Sequence, residues 1–226
     1  MSLQIKSIPA PTSLRDMAYE AIKESILATD VMDLNEDMRL DEKALVASLG
    51  ISRTPVREAI NRLVAEGFLK MIPRRGVFVV RKSKAEIIEI QIVRSALESL
   101  AARLAAKNVM RKDIVYMRSI FASFQTGDLL NRRREYSRAN ILFHEFVIQK
   151  SECGKLIEFA TNLADHARMV RFRTSSYPER LESSLAQHLE IIDTFEKGDA
   201  ERVESLMRKH IDESLEFLVK IYGKRS

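Results

Sequence analysis

Apolar positions recur at helical spacing through most of this chain. Over 13–28, Leu14, Ala18, Ala21, Ile22 and Ile26 form one stripe, which predicts a helix. The polar stretch 30–37 reads as a loop. A short helix is expected over 40–49, with Ala44, Leu45 and Leu49 inward and Gly50 as its stop. Ser52 or Thr54 can cap the next helix, and Pro55 falls in its first turn, where proline is tolerated. That helix runs to about Glu66, with Val56, Ile60, Leu63 and Val64 inward, and ends at Gly67. Then the pattern changes. Two β-prone runs, 68–72 and 77–80, flank Pro73-Arg74-Arg75-Gly76 and predict a hairpin. Three helices and a hairpin, with a tight turn at Gly50-Ile51, make a helix-turn-helix with a β-wing over 13–80. Residues 1–12 lack periodicity and are expected to form a flexible arm.

From 81 onward no run reads as a strand. Helical stripes fall at about 84–106, 111–126, 128–150, 153–174, 178–197 and 199–222, broken at Asn108, Gly127, Cys153-Gly154, Tyr177-Pro178 and Gly198-Asp199. Short connections make neighbours antiparallel, so 81–226 is expected to be an all-helical, six-helix antiparallel bundle. The predicted fold class is mainly α: an N-terminal winged helix-turn-helix plus this C-terminal bundle.

Composition narrows the function classes. The 226 residues are 46% hydrophobic and 31% charged, with 7 Gly, 5 Pro and no Trp, which fits a folded helical protein and not a disordered one. A single Cys excludes a disulfide framework and a cysteine-rich zinc site. No apolar run approaches the roughly 20 residues needed to cross a bilayer, and no signal segment opens the chain, so a cytoplasmic protein without membrane contact is expected. The net charge of +5 is unevenly placed. Residues 39–82 hold ten Lys/Arg and four Asp/Glu, a surplus of six, so the remainder sums to −1. A basic segment on a near-neutral body suggests either a phosphate-binding face or a solvated surface.

The winged helix gives that charge a geometry. In a helix-turn-helix the start of the second helix of the motif faces the major groove. Arg53 and Arg57 are one turn apart on one face, and either can fork onto guanine O6 and N7. Ser52 and Thr54 can donate to phosphate from the helix start. Arg74 and Arg75 sit at the wing tip, where a cation reaches phosphate or the minor groove. In the bundle, Asn140 and His144 share a helical face, and His188 and His210 lie on two later helices. An antiparallel bundle can bring such positions to one level, where imidazoles suit zinc, nickel or copper. Taken one at a time, each histidine reads equally well as a core or surface residue.

Arg39-Leu40, Lys43-Ala44-Leu45, the run from Leu49 through Ser52-Arg53-Thr54-Pro55-Val56-Arg57 to Ala59, Leu63, Glu66-Gly67 and Gly76-Val77-Phe78-Val79 resemble the GntR family of bacterial transcription regulators. The resemblance implies DNA contacts from Arg39 or Lys43, Ser52, Arg53, Thr54, Arg57 and the wing, with Arg74, Arg75 and Gly76. Arg94 through Glu98, Ala101 through Ala105, Phe143-His144, His188, Gly198-Asp199-Ala200 and His210 resemble the FCD domain of the FadR subfamily, and six helices resemble its VanR-type branch. Many FCD domains hold a divalent metal through Asp-x-x-x-His and two later His. The resemblance therefore implies a zinc or nickel site at Asn140, His144, His188 and His210. Asn140 departs from the commoner Asp, a neutral and weaker donor that would leave the ion its full charge for an anionic ligand. Arg94 and, more weakly, Arg171 become candidate contacts for a small carboxylate effector, although by sequence alone each reads as a surface ion pair. His166 reads as structural, Cys153 as an ordinary free thiol, and Met17, Met110, Met117, Met169 and Met207 as core.

The expectation is a homodimeric regulator, a repressor, that binds a palindromic double-stranded operator under control of an organic acid. One alternative is the same reading head on a metal-free bundle that only dimerises. The remote alternative is a metal-dependent hydrolase: His144-Glu145 opens like H-E-x-x-H, but Ile148 stands where the second His belongs. There is no phosphate loop, G-x-S-x-G or C-x-x-C, so no enzyme is expected.

Overall fold

The computed structural model describes residues 13–28, 38–80, 83–125, 129–174 and 177–223, with the side chains of 165, 167–174, 222 and 223 outside that description. The expected arm over 1–12 and loop over 30–37 lie outside it as well. The chain divides into two compact units, Met1–Lys82 and Ser83–Ser226.

In the first unit, α1 (Leu14–Ala28) buries Ala18, Tyr19, Ile22 and Ile26 and packs on α3 (Arg53–Ala65), which buries Val56, Ala59, Ile60 and Leu63. Each large side chain so buried contributes roughly 1.5–3 kcal/mol. A polar clamp ties the same two helices. The Tyr19 hydroxyl donates to Glu66 Oε2 at 2.6 Å, Lys23 Nζ donates to the Tyr19 oxygen at 2.6 Å, and the Arg62 guanidinium lies 3.8 Å over the Tyr19 ring. Between them, α2 (Glu42–Leu49) starts at Asp41, whose carboxylate accepts the Lys43 and Ala44 N–H groups, and stops at Gly50 in the left-handed region, φ 63°. The expected inner face of α2 is shallower than its pattern suggests. None of its residues is fully buried, and Ala44 is exposed. Ser52 takes the N-cap position of α3 without a side-chain capping bond.

The hairpin pairs β2 (Leu69–Ile72) with β3 (Gly76–Val79). A third strand, β1 (Arg39–Leu40), pairs antiparallel with β3, so the sheet order is β1-β3-β2. Two residues are too few to show an alternation, which is why no pattern in the sequence marked β1.

The second unit is six α-helices among the described residues: α4 (Lys84–Ala105), α5 (Arg111–Phe121), α6 (Arg133–Lys150), α7 (Gly154–Thr174), α8 (Pro178–Lys197) and α9 (Ala200–Gly223). A 3₁₀ turn, Ala122–Phe124, ends α5 earlier than its stripe suggests. Ser83 and Glu86 cap α4 reciprocally, at 3.2 and 2.8 Å. Helix α4 packs against α6, α7 and α9, while α5 lies on α6 and α8. The apolar core holds Met117, Phe121, Phe143, Ile192, Val203 and Met207. Of the methionines expected there, Met117 and Met207 are buried. Met17 and Met110 are exposed, being single apolar positions at helix starts, and the Met169 side chain lies outside the description. Against this core α4 turns a polar face: Gln91, Arg94, Ser95, Glu98 and Ser99 are all buried. Buried polar groups cost free energy unless paired, so this face must be read by its partners.

Candidate DNA-reading face and candidate metal centre

In the first unit, turn geometry assembles the cations. The start of α3, the start of α2 with β1 before it, and the turn end of β3 enclose a concavity of about 510 Å³ lined by Arg39, Leu40, Asp41, Glu42, Lys43, Arg53, Arg57, Gly76 and Val77. Arg39, Lys43, Arg53 and Arg57 are all exposed on it. Gly76, at φ 110°, admits the guanidinium of Arg39. A Cβ there would lie 3.2 Å from Arg39 Nε, in a backbone region that L side chains avoid. Ser52 and Thr54 are exposed at the start of α3, outside the concavity lining. Arg74 and Arg75 are exposed in the hairpin turn, Arg74 itself at φ 63° and Arg75 with its guanidinium 5.7 Å from the Phe78 ring. Arg53 makes no ion pair among the described residues, whereas Arg57 Nε donates to Glu42 Oε1 at 2.7 Å. An open, mostly cationic concavity beside a helix start can seat phosphates while presenting guanidinium groups to base edges.

In the second unit, three histidines from three helices meet. His144 on α6, His188 on α8 and His210 on α9 are buried, and one nitrogen of each lies within 4.8 Å of one nitrogen of the other two. His188 Nε2 and His144 Nε2 are 3.4 Å apart. Apolar rings wall the group: Phe121 stacks on His188 at 4.8 Å and Phe143 meets it edge-on at 4.9 Å.

Each imidazole is oriented from behind through Nδ1. His144 Nδ1 lies 2.6 Å from Glu98 Oε2, His188 Nδ1 lies 3.1 Å from the Tyr136 oxygen, and His210 Nδ1 lies 2.8 Å from Gln187 Oε1. Glu98 and Gln187 Oε1 can only accept. The Tyr136 hydroxyl, which burial holds in its protonated form, donates to Ser184 Oγ at 2.9 Å and keeps a lone pair for His188. In the neutral form each ring therefore carries its proton on Nδ1 and its lone pair on Nε2, and the Nε2 atoms of His144 and His188 face each other. Burial first, and then the neighbouring His188, His144, Arg180 and Arg94, push the His210 pKa well below the ordinary imidazole value, which keeps that ring neutral. Lone pairs 3.4 Å apart repel unless a cation lies among them. An ion at 2.0–2.1 Å from each nitrogen would hold them about 3–4 Å apart, so the cluster fits a metal with small adjustments. Asn140, one turn before His144, supplies a buried Oδ1 with no hydrogen-bond partner among the described residues. An orphaned acceptor at that place also fits a cation. Cys153, Glu145 and His166 do not join the group, and Glu145, exposed on α6, is not placed as a base for hydrolysis.

The surface ion pair expected for Arg94 is instead a buried one. Arg94 is 3% exposed and Glu98 2%; Nε donates to Oε1 at 2.6 Å, Nη2 to Oε2 at 3.2 Å, and Nη1 to Gln91 Oε1 at 3.1 Å. A chain thus runs Gln91–Arg94–Glu98–His144 along one face of α4 and onto the histidines. Gln91 Oε1 is committed to Arg94, and its Nε2, buried, has no hydrogen-bond partner among the described residues. On the far side, Arg180 donates to Gln187 Oε1 at 3.1 Å and to the His210 carbonyl at 3.2 Å. The Arg171 side chain lies outside the described residues. Sequence reasoning assigned no role to Glu98, Tyr136, Gln187 or Arg180. The spacing Arg94–Glu98, one helical turn, was the one available signal; the others depend on which helices meet.

Comparison with known proteins places both units. Residues 14–79 match the family described as bacterial regulatory proteins, gntR family, and residues 89–213 match the FCD domain. The chain is 32% identical over 170 residues, covering 75% of it and 74% of the relative, to a probable D-xylose utilization operon transcriptional repressor of Paenarthrobacter nicotinovorans. It is 28% identical over 190 residues, covering 83% and 82%, to the HTH-type transcriptional repressor RspR of Escherichia coli strain K12. The solved structure of E. coli McbR/YncC shares the fold, with a TM-score of 0.79 at 22% identity over 93% of this chain and 99% of that one. These relatives are regulators, not enzymes, and no helix among the described residues is long and apolar enough to cross a membrane. The chain belongs to the gntR family of bacterial regulatory proteins, a DNA-binding transcriptional regulator with an effector-binding FCD domain.

Proposed function

We propose that this protein is a homodimeric repressor of the FadR subfamily, VanR-type branch, whose operator binding answers to a small carboxylate held in a metal-containing cavity of the second unit. The observation that carries the reading is the convergence of three buried imidazoles, one nitrogen of each within 4.8 Å of one nitrogen of the other two, with a polar partner beside the Nδ1 of each ring. Six helices support the branch, and two relatives named as repressors support the direction of control.

Residues 13–80 are the reading head, with Arg53 and Arg57 toward bases and Arg39, Lys43, Ser52, Thr54, Arg74, Arg75 and the Gly76 backbone toward phosphates. Residues 81–226 hold the effector and dimerise. The exposed row Ile92, Ala96 and Leu100 on α4, with Val93 beside it, supports a second copy of this chain as partner. Two equal heads call for a palindromic operator.

His144, His188 and His210, with Asn140, would hold the ion, zinc or nickel, and a bound ion would supply positive charge and open coordination positions for an anion. Glu98, Tyr136 and Gln187 keep the rings aimed. Because Glu98 already neutralises Arg94, that guanidinium contributes directed N–H groups more than net charge. The unpartnered Nε2 of Gln91 is a buried donor that an effector oxygen would satisfy. Control requires the effector to bind the DNA-competent and DNA-free arrangements with different affinity.

The test is metal analysis of protein from zinc- or nickel-supplemented medium, with thermal shift against a panel of organic acids. Expected are stoichiometric metal, its loss in His188→Ala, and saturable stabilisation by an acid that also releases operator DNA. Substoichiometric metal with no change on EDTA treatment would overturn the metal centre and leave a helical unit that only dimerises.

A further inference from the structure

The head carries one ion pair that its DNA-binding role does not require. Glu42 is the first residue of α2 and Arg57 the fifth of α3, and Arg57 Nε donates to Glu42 Oε1 at 2.7 Å. Both line the concavity with Arg39, Lys43 and Arg53. A carboxylate in a phosphate-binding concavity opposes DNA by charge. Its favourable interaction with the start of α2 would be available at any exposed first-turn position. What this position adds is geometry. Arg57 is 66% exposed, and a lone arginine so exposed samples many rotamers. Glu42 takes Nε, the inner edge of the guanidinium. The two terminal nitrogens make no hydrogen bond among the described residues. Those are the atoms that fork onto guanine O6 and N7.

We propose that Glu42 is a positioning and specificity-determining residue: it holds Arg57 through Nε before DNA arrives, so that the terminal nitrogens meet a base edge already oriented. This rests on Arg57 reading a base. Pre-ordering lowers the loss of side-chain freedom on binding, and only at the site where the fork is satisfied. Elsewhere on DNA, Glu42 contributes repulsion alone. The residue therefore raises the ratio of operator to unrelated binding from both sides.

The experiment enriches an operator from random duplexes with the full-length protein. It then measures affinity for that operator and for an unrelated duplex, and base preference at each operator position. Arg57→Ala is expected to relax one base-pair position and weaken the operator about 10-fold or more. Glu42→Ala should relax that same position and cut the operator-to-unrelated ratio about 5–30-fold, while affinity for the unrelated duplex holds or rises. Glu42→Gln keeps an oxygen acceptor for Nε and should retain the preference. Adding Glu42→Ala to Arg57→Ala should weaken the operator no further. If Glu42→Ala leaves that position's preference intact, or weakens the operator equally without Arg57, the inference is wrong. Damage to the head would lower affinity for both duplexes and also counts against it. If Arg57→Ala relaxes no position, the assignment of Arg57 itself falls, which separates the two failures.

Discussion

The two units treat charge in opposite ways. The head displays it: Arg39, Lys43, Arg53, Arg57, Arg74 and Arg75 are exposed, and apart from the Glu42 pair the reading cations make no ion pair among the described residues. The bundle buries it: Arg94, Glu98, Arg180 and three histidines sit inside, linked in chains of hydrogen bonds and close ion-pair contacts. Exposed cations bind a polyanion through long-range, salt-screened attraction and need little support from the fold. Buried groups must be paired by neighbours from several helices, and in return they hold a defined geometry. The head is thus an electrostatic surface carried on a rigid frame, while the bundle is a chamber whose polar lining is part of its structure.

Substitutions should expose that difference in size. The largest effect is expected for Glu98→Ala, which strands the Arg94 guanidinium and loosens His144. It should cost about 3–5 kcal/mol in urea unfolding, and a loss below about 1 kcal/mol would mean the pair is not buried as a unit. Arg53→Ala should leave unfolding unchanged and cost about 1–3 kcal/mol at the operator, with relaxed base preference. Metal-free protein should lose stability as the pH falls below about 6.5. His210 is held neutral in the fold, with a lowered pKa, so the unfolded chain binds the extra proton first and stability rises with pH through that window. Asn substituted for His210 should flatten that dependence in pH-resolved thermal melts. The smallest effect is Arg75→Ala, a roughly even loss across sequences with the salt slope reduced by about 1 in fluorescence titrations. If Arg75→Ala instead changed base preference, the wing would be reading sequence.

The same contrast explains what was legible beforehand. The reading helix is a linear motif: Leu49 to Leu63 contains the turn, the helix start and two arginines one turn apart, so periodicity alone places them on one exposed face. The histidine positions were also legible, because family spacing marked them on separate helices. Their support was not. Glu98 lies 46 positions before His144, and Tyr136 lies 52 before His188. No local period links such residues; they meet because α4, α6, α8 and α9 pack around one core. Arg94 read as part of a surface ion pair for the same reason, since a helical period does not say which way the helix turns that face.

From sequence alone came the helical periods, the wing, the basic segment and the identity of the metal-ligand candidates, since each depends on residues close along the chain or on side-chain chemistry that no fold can change. Tertiary packing alone decided the inward rotation of α4's polar face, the pairing of β1 with β3, the Nδ1 partner behind each imidazole and the hold of Glu42 on Arg57. Those features join segments remote in the chain, and polar contacts at 2.6–3.1 Å form only once hydrophobic burial has brought their helices into register.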